Sequence, residues 1–191
     1  YNEGSWANSK WPFRTATLVK AANYMLAKRA ELSSLIVYEA GKSVAEALAD
    51  VDEAIDFLNF YARTEAYLQR NLTDLTGRGP TVVISPWNFP LAIPCGMVVS
   101  SLVAGNTVIL KSAEQTPLIT QLLVDILHAS GVPKDVLIHL PGEGETVGDF
   151  LVKDERTSTI VFTGSKAVGT YIASVTRKRL YKNKLTNKLY P

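Results

Sequence analysis

The chain has 191 residues and a mass of 20.9 kDa, with 47% hydrophobic and 20% charged residues and a mean hydropathy of +0.07. This composition is globular and excludes a disordered, collagenous or disulfide-stapled chain. The formal charge of +2 conceals six basic residues and no acids between Arg177 and Pro191. Residues 1–176 therefore carry −4, which argues against a nucleic-acid-binding face on the body of the protein.

The elements follow in chain order. From Arg14 to about Glu39, apolar residues recur at three- and four-residue steps (Leu18, Ala21, Ala22, Met25, Leu26, Leu32, Leu35, Ile36), which predicts one long helix. Gly41 stands where a helix C-terminal glycine belongs. Ser43 and Glu46 form a capping box that opens a second helix to about Arg70, with Leu48, Val51, Ile55, Leu58, Phe60 and Tyr61 as its apolar contacts. Residues 71–80 read as a connecting loop. From Thr81 the runs Thr81–Ser85, Thr107–Leu110, Val136–Leu140 and Thr159–Phe162 are short and β-branched, separated by segments of helix length. The clearest of these is Pro117–Ala129, with Thr116 as N-cap and Gly131 past its end. No charge occurs between Arg78 and Lys111, yet Pro86, Pro90, Pro94, Gly96 and Gly105 break that stretch too often for a membrane span.

Strands alternating with helices imply right-handed crossovers and a parallel sheet. The expected fold is α/β: a Rossmann-like parallel sheet with flanking helices, preceded by two long helices. Residues 1–80 form the helical N-terminal part, 81–175 the βα units, and 176–191 a basic tail that reads as a solvated end. The chain opens on Tyr1 rather than Met, so a start inside a longer reading frame is expected. No signal peptide is visible, and the lone Cys95 fits a reducing, cytoplasmic setting.

In such a sheet, ligands sit beyond the carboxyl ends of the strands. The residues there are Pro86–Pro90, Lys111–Glu114, Pro141–Gly144 and Thr163–Ser165, all polar or glycine-rich. Glu114 can accept from both hydroxyls of a ribose with Lys111 beside it, or the two can form a surface salt bridge. Gly142, Gly144 and Gly148 either let a ligand approach the backbone or make a tight turn, and Glu143 and Glu145 disfavour a phosphate there. Gly164 and Ser165 open a helix, where free amides suit a pyrophosphate and Ser165 also suits an N-cap. A buried Asn88 amide can donate to an oxyanion; its alternative is an Asx turn ahead of Pro90. Cys95 has apolar neighbours and no nearby cation, so it reads as inert. His128 and His139 have no partners at metal-ligand spacing, and no metal site is indicated.

ISPWNFPLAIP, AGNTVILKSAEQTP, LPGEGETVGDFL and IVFTGS, with EAGKSVAEALADVDEAIDFLNFYAR upstream, resemble the aldehyde dehydrogenase superfamily from about Trp11 to about Ala173. The nearest group is the L-glutamate γ-semialdehyde (Δ1-pyrroline-5-carboxylate) dehydrogenases, including that part of the bifunctional proline utilisation protein. The resemblance implies NAD-dependent oxidation of a small aldehyde by a thiolate, with a glutamate base. It matches Asn88 to the oxyanion-stabilising asparagine and Lys111 and Glu114 to the adenosine-ribose contacts. Gly164 and Ser165 match the pyrophosphate contact, and Ile84, Pro86 and Trp87 the wall of the cofactor cleft; Gly144 and Gly148 complete the implied cofactor set. Ser112 replaces the family's usual proline, and 71–80 is short for the family's oligomerising arm. The stretches carrying the family's base and nucleophile do not occur, so the resemblance implies an N-terminal-half fragment, truncated or frameshifted and inactive alone. Any proline-oxidising flavin domain would precede Tyr1, and nothing here binds FAD. Two alternatives stand beside this: a nucleotide-binding module completed by a separately encoded catalytic half, or a nonfunctional relic.

Overall fold

The computed structural model describes the backbone of residues 4–72 and 75–186, and side chains as far as residue 177. The first helical pattern is two helices, α1 (Trp11–Ala27) and α2 (Arg29–Ala40), which meet at Lys28. Its amide is shared between the carbonyls of Tyr24 (3.2 Å) and Met25 (3.1 Å), the tight closing turn of a helix. No glycine or proline marks the break, so the periodicity conceals it. The break lets Leu18 and Met25 of α1 and Leu32 and Ile36 of α2 enter one core against α3 (Val44–Asn71). Leu26 and Phe60, expected in that core, are exposed because each is rotated off its helix's buried stripe.

The capping box at the start of α3 is formed: Ser43 Oγ accepts the Glu46 amide at 3.3 Å, and Glu46 Oε2 accepts the Ser43 amide at 3.0 Å. The four strands lie within one residue of their expected bounds, as β1 (Thr81–Ile84), β2 (Val108–Lys111), β3 (Leu137–His139) and β4 (Thr159–Phe162). They pair in parallel in the order β3-β2-β1-β4. Between them run α4 (Ala92–Val103), α5 (Pro117–Ser130) and α6 (Asp149–Lys153), with a π-helical turn at Gly144–Gly148 ahead of α6. Val108 and Leu110 face the main core with Val83, while Val82, one residue along and on the opposite face, lies outside it.

The backbone beyond β4 is a helix, α7 (Lys166–Thr186), which runs into the stretch expected as a basic tail; residues 187–191 of that tail lie outside the described residues, as do residues 73 and 74 of the expected 71–80 loop. Among the described residues no helix is long and apolar enough to cross a membrane.

Two polar contacts tie the helical layer together. Arg14 is buried, donating from Nε to the Val103 carbonyl (2.7 Å), from Nη1 to Ser9, and from Nη2 to Glu65 (3.4 Å), itself buried. Thr116 makes no side-chain cap on α5; instead the Glu39 carboxylate at the end of α2 accepts the amides of Leu118 (2.7 Å) and Ile119 (2.9 Å). A carboxylate bridging two first-turn amides satisfies orphan donors and complements the helix dipole. Glu39→Ala is therefore expected to destabilise the protein by about 1–2 kcal/mol, read as a lower urea midpoint at unchanged slope.

Candidate functional site

The register of the sheet determines what lies at its carboxyl edge. Ile84 pairs beside both Lys111 and Phe162, and Leu110 beside His139. One further bond leaves each pair at the same level: Ser85 N–H to the Lys111 carbonyl (3.2 Å), Thr163 N–H to the Ile84 carbonyl (3.2 Å), and Leu140 N–H to the Leu110 carbonyl (2.9 Å). Residues 86–90, 111–114, 141–144 and 163–165 thus depart from one rim. Growth of the sheet reverses between β1 and β4, the topological switch at which crevices form in α/β sheets.

Lys111 is the last residue of β2, and its side chain is buried (6% exposed) while that of Glu114 is 45% exposed. Lys111 Nζ donates to Glu114 Oε1 at 3.1 Å, and the Gly144 amide donates to the same oxygen at 2.8 Å. The Lys111 hydrogen bond and charge, followed by the Gly144 amide, hold the Glu114 carboxyl below the usual glutamate range. Gly144 thereby joins the site through its amide on Glu114. The loop before it is tight: Gly142 has φ +155°, and a Cβ there would meet Val147 Cγ2 at 2.5 Å, so only glycine fits. Gly148 is buried at the end of the π-helical turn, whereas Glu143 and Glu145 are exposed.

On the other side of β1, Ser165 Oγ accepts the Val168 amide at 3.3 Å, so the N-cap on α7 is present. A Cβ at Gly164 would come within 2.8 Å of the Phe162 ring, so this position is kept bare by close contact.

Ile84 and Pro86 are half-buried, and Trp87 and Asn88 are exposed. The expectation of a buried Asn88 amide is corrected: its side chain lies at the surface, because the loop Pro86–Pro90 leaves the sheet outward between two prolines. The Asn88 backbone carbonyl accepts from Lys42 Nζ at 3.1 Å.

Cys95 is fully buried within α4, its Sγ 3.6 Å from the Ala54 carbonyl. Burial, followed by the Asp50 charge, pushes its thiol well above the ordinary cysteine value, so it is a packing residue rather than a nucleophile. His128 Nδ1 lies 2.9 Å from the Val132 carbonyl. Among the described residues no three His, Cys, Asp or Glu are grouped to hold a metal ion.

Sequence reasoning missed three features near this rim. Ser85 Oγ is buried between Ile84 and Pro86 with no hydrogen-bond partner among the described residues. His139 bridges Ser112 Oγ (2.9 Å) and Gln121 Oε1 (2.8 Å), and burial holds its pKa below the ordinary value. Asp50 is buried and paired with Lys42 at 2.9 Å. The last was detectable, since Asp50 falls three residues after Ala47 and four before Ala54, on the apolar stripe of α3, where a carboxylate requires partners.

An α/β chain whose parallel strands run in the order β3-β2-β1-β4, with their loops on one edge and a switch beside β1, has the doubly wound architecture. It belongs to the aldehyde dehydrogenase family, whose model matches residues 2–186. 1-Pyrroline-5-carboxylate dehydrogenase 1 of Halalkalibacterium halodurans is 46% identical over 176 residues, covering 86% of this chain and 34% of that protein. The structure of proline utilization A from Bdellovibrio bacteriovorus is 43% identical, with a TM-score of 0.86, over 90% of this chain and 19% of that one. A 1-pyrroline-5-carboxylate dehydrogenase from Thermus, solved with bound NAD, is 39% identical with a TM-score of 0.86, over 90% and 36%. The chain spans about a third of the length of the curated pyrroline-5-carboxylate dehydrogenases it matches (34–35%).

Proposed function

We propose that this chain is the NAD-binding part of an aldehyde dehydrogenase that oxidises L-glutamate γ-semialdehyde, the open form of pyrroline-5-carboxylate, in proline catabolism. The observation that carries the reading is the Lys111–Glu114–Gly144 lock at the end of β2, on the rim shared with Asn88 and Ser165. The names of its relatives support the substrate class, and the NAD-bound Thermus neighbour supports the cofactor.

The residues present fit the dinucleotide. Lys111 uses one of its three N–H groups on Glu114, and Glu114 Oε2 has no partner among the described residues. Together they offer a donor and acceptors to a vicinal diol. The orphaned Ser85 hydroxyl adds a polar atom beside Ile84 and Pro86, which form the cleft wall with Trp87. Gly164, Ser165 and the first amides of α7 would hold the pyrophosphate, and Gly144 and Gly148 belong to the turn that meets Glu114. NAD, when bound, supplies the hydride acceptor. Asn88 donates from its side-chain amide to the aldehyde oxygen as negative charge develops there. The attacking thiolate belongs to a catalytic part outside these residues, because Cys95 is sealed in the core. The protein works in the cytoplasm, and its domain division follows the chain: helices to residue 80, βα units from 81 to 175, and a basic extension.

NAD is expected to raise the melting temperature of the purified chain, with about 2.7 kcal/mol of added stability at 100 times Kd. NADP should shift it less, because its 2′-phosphate meets the Glu114 carboxylate. Melting curves unchanged by either nucleotide would refute the reading.

A further inference from the structure

We propose that Lys42 and Asp50 are positioning residues: a buried brace that fixes the loop Pro86–Leu91 and, through it, the place of Asn88. Lys42 follows the end of α2 and Asp50 lies on α3, so neither belongs to the βα units that build the rim. The Asp50 side chain has no exposure, and that of Lys42 has 13%. The two carboxylate oxygens hold different partners. Oδ1 accepts the Ala92 amide at 2.7 Å, at the start of α4, and Oδ2 accepts Lys42 Nζ at 2.9 Å. The same ammonium donates to the Asn88 carbonyl at 3.1 Å and lies 4.2 Å from the centroid of the Phe89 ring. One charge thus grips two consecutive residues of the loop while its counter-ion holds the loop's exit. Ser85 is held at the entrance by its bond to the Lys111 carbonyl. Pro86 and Pro90 donate nothing, so the loop has few bonds of its own with which to set its shape.

The chemistry of the pair favours positioning over stability. Asp50 lies on the stripe of Ala47, Val51 and Ala54, where an apolar side chain would avoid the desolvation of a carboxylate at the cost of the Ala92 amide's acceptor. Buried ion pairs are commonly no more stabilising than apolar replacements of similar volume, and in some proteins they serve to fix geometry. Asn88 and Phe89 are exposed, so core packing does not hold them; the Lys42 contacts do. The consequence for oxyanion stabilisation rests on the role proposed for Asn88, whereas the brace itself does not.

Loop order can be measured on this chain directly, through backbone and indole ¹⁵N resonances. The double variant K42M/D50L removes both charges together, so no orphan ion remains; the Ala92 amide alone loses its acceptor, and the melting temperature should fall by about 2–12 °C. Its order parameters at Trp87, Asn88 and Phe89 should nevertheless fall from about 0.85 to below about 0.6. The Trp87 indole signal should move, while that of Trp6, bonded to the Leu102 carbonyl, stays in place. K42M alone keeps the Asp50–Ala92 contact but strands the buried Asp50 charge, so its melting temperature falls below that of the double variant while the loop shows the same loss; K42R, which keeps the cation, should restore the rigid values. Rigid order parameters and an unmoved Trp87 signal in K42M would overturn the proposal. So would melting loss and spectral change spread evenly over the whole chain in both variants, which is the signature of an ordinary structural pair. A parent chain that fails to bind NAD while K42M loosens the loop would sink the functional reading and leave the brace standing.

Discussion

Arg14→Met is expected to destabilise the protein by about 3–5 kcal/mol, because it breaks a buried pair from one side. For a chain of this size, that lowers the melting temperature by roughly 6–20 °C. Three groups lose their donor together. The Val103 carbonyl lies at the C-terminal end of α4, where the helix itself offers no amide; Ser9 loses its tie to α1; and Glu65 stays buried with its charge. Among the described residues Gln69, donating from Nε2 at 2.9 Å, is what remains bonded to the stranded carboxylate. Arg14→Lys should recover little, since one compact ammonium cannot replace the three separated nitrogens of the planar guanidinium. R14M/E65L should recover part of the loss by removing the orphan charge. Thermal unfolding followed by circular dichroism separates these cases. If R14M melts within a degree or two of the parent, the arginine is not the staple between α1, α3 and α4.

How much of this is visible in the letters depends on whether the controlling interaction is local. The capping box at Ser43 and Glu46 and the four β-branched runs are short-range signals, and each appears within a residue of its expected place. The break at Lys28 is hidden because it follows from packing against α3 rather than from any breaker residue. The cap on α5 comes from Glu39 and not from Thr116, and no local pattern reveals a carboxylate acting from 79 residues upstream. At the site, the positions of Lys111, Glu114 and Ser165 follow from the strands that carry them. Which amide meets Glu114 does not, because the Gly144 contact depends on the turn taken by the Gly142 loop. The Lys42–Asp50 brace is legible only in half: a carboxylate on an apolar stripe announces that it has a partner, and the fold alone says which one.

Glu114→Gln should weaken NAD binding by roughly 10-fold to 100-fold, the worth of hydrogen bonds to a charged acceptor. The amide keeps the shape and loses the anion, so it removes both the charge-assisted bond to a ribose hydroxyl and the repulsion of a 2′-phosphate. Affinity for NAD should therefore fall while the ratio of NAD to NADP affinity collapses toward unity, a pair of changes that simple unfolding does not produce. The pH dependence follows from the environment of the carboxyl. Lys111 and the Gly144 amide hold its pKa below the ordinary value, so the anion survives as pH falls through the usual glutamate range. The stabilisation linked to this group is complete above its unfolded value and is lost only as pH falls through the lower folded one. NAD affinity in the parent should accordingly stay flat through about pH 4.3, with the decline lying on the acid side. Lys111→Met removes the larger part of that depression, and its affinity should begin to fall at a higher pH than the parent's. Calorimetric titration of NAD into parent, E114Q and K111M across this range gives the three curves. Coincident curves for parent and K111M would mean that Lys111 does not set the charge of Glu114, and equal NAD affinity in E114Q would remove the carboxylate from the site.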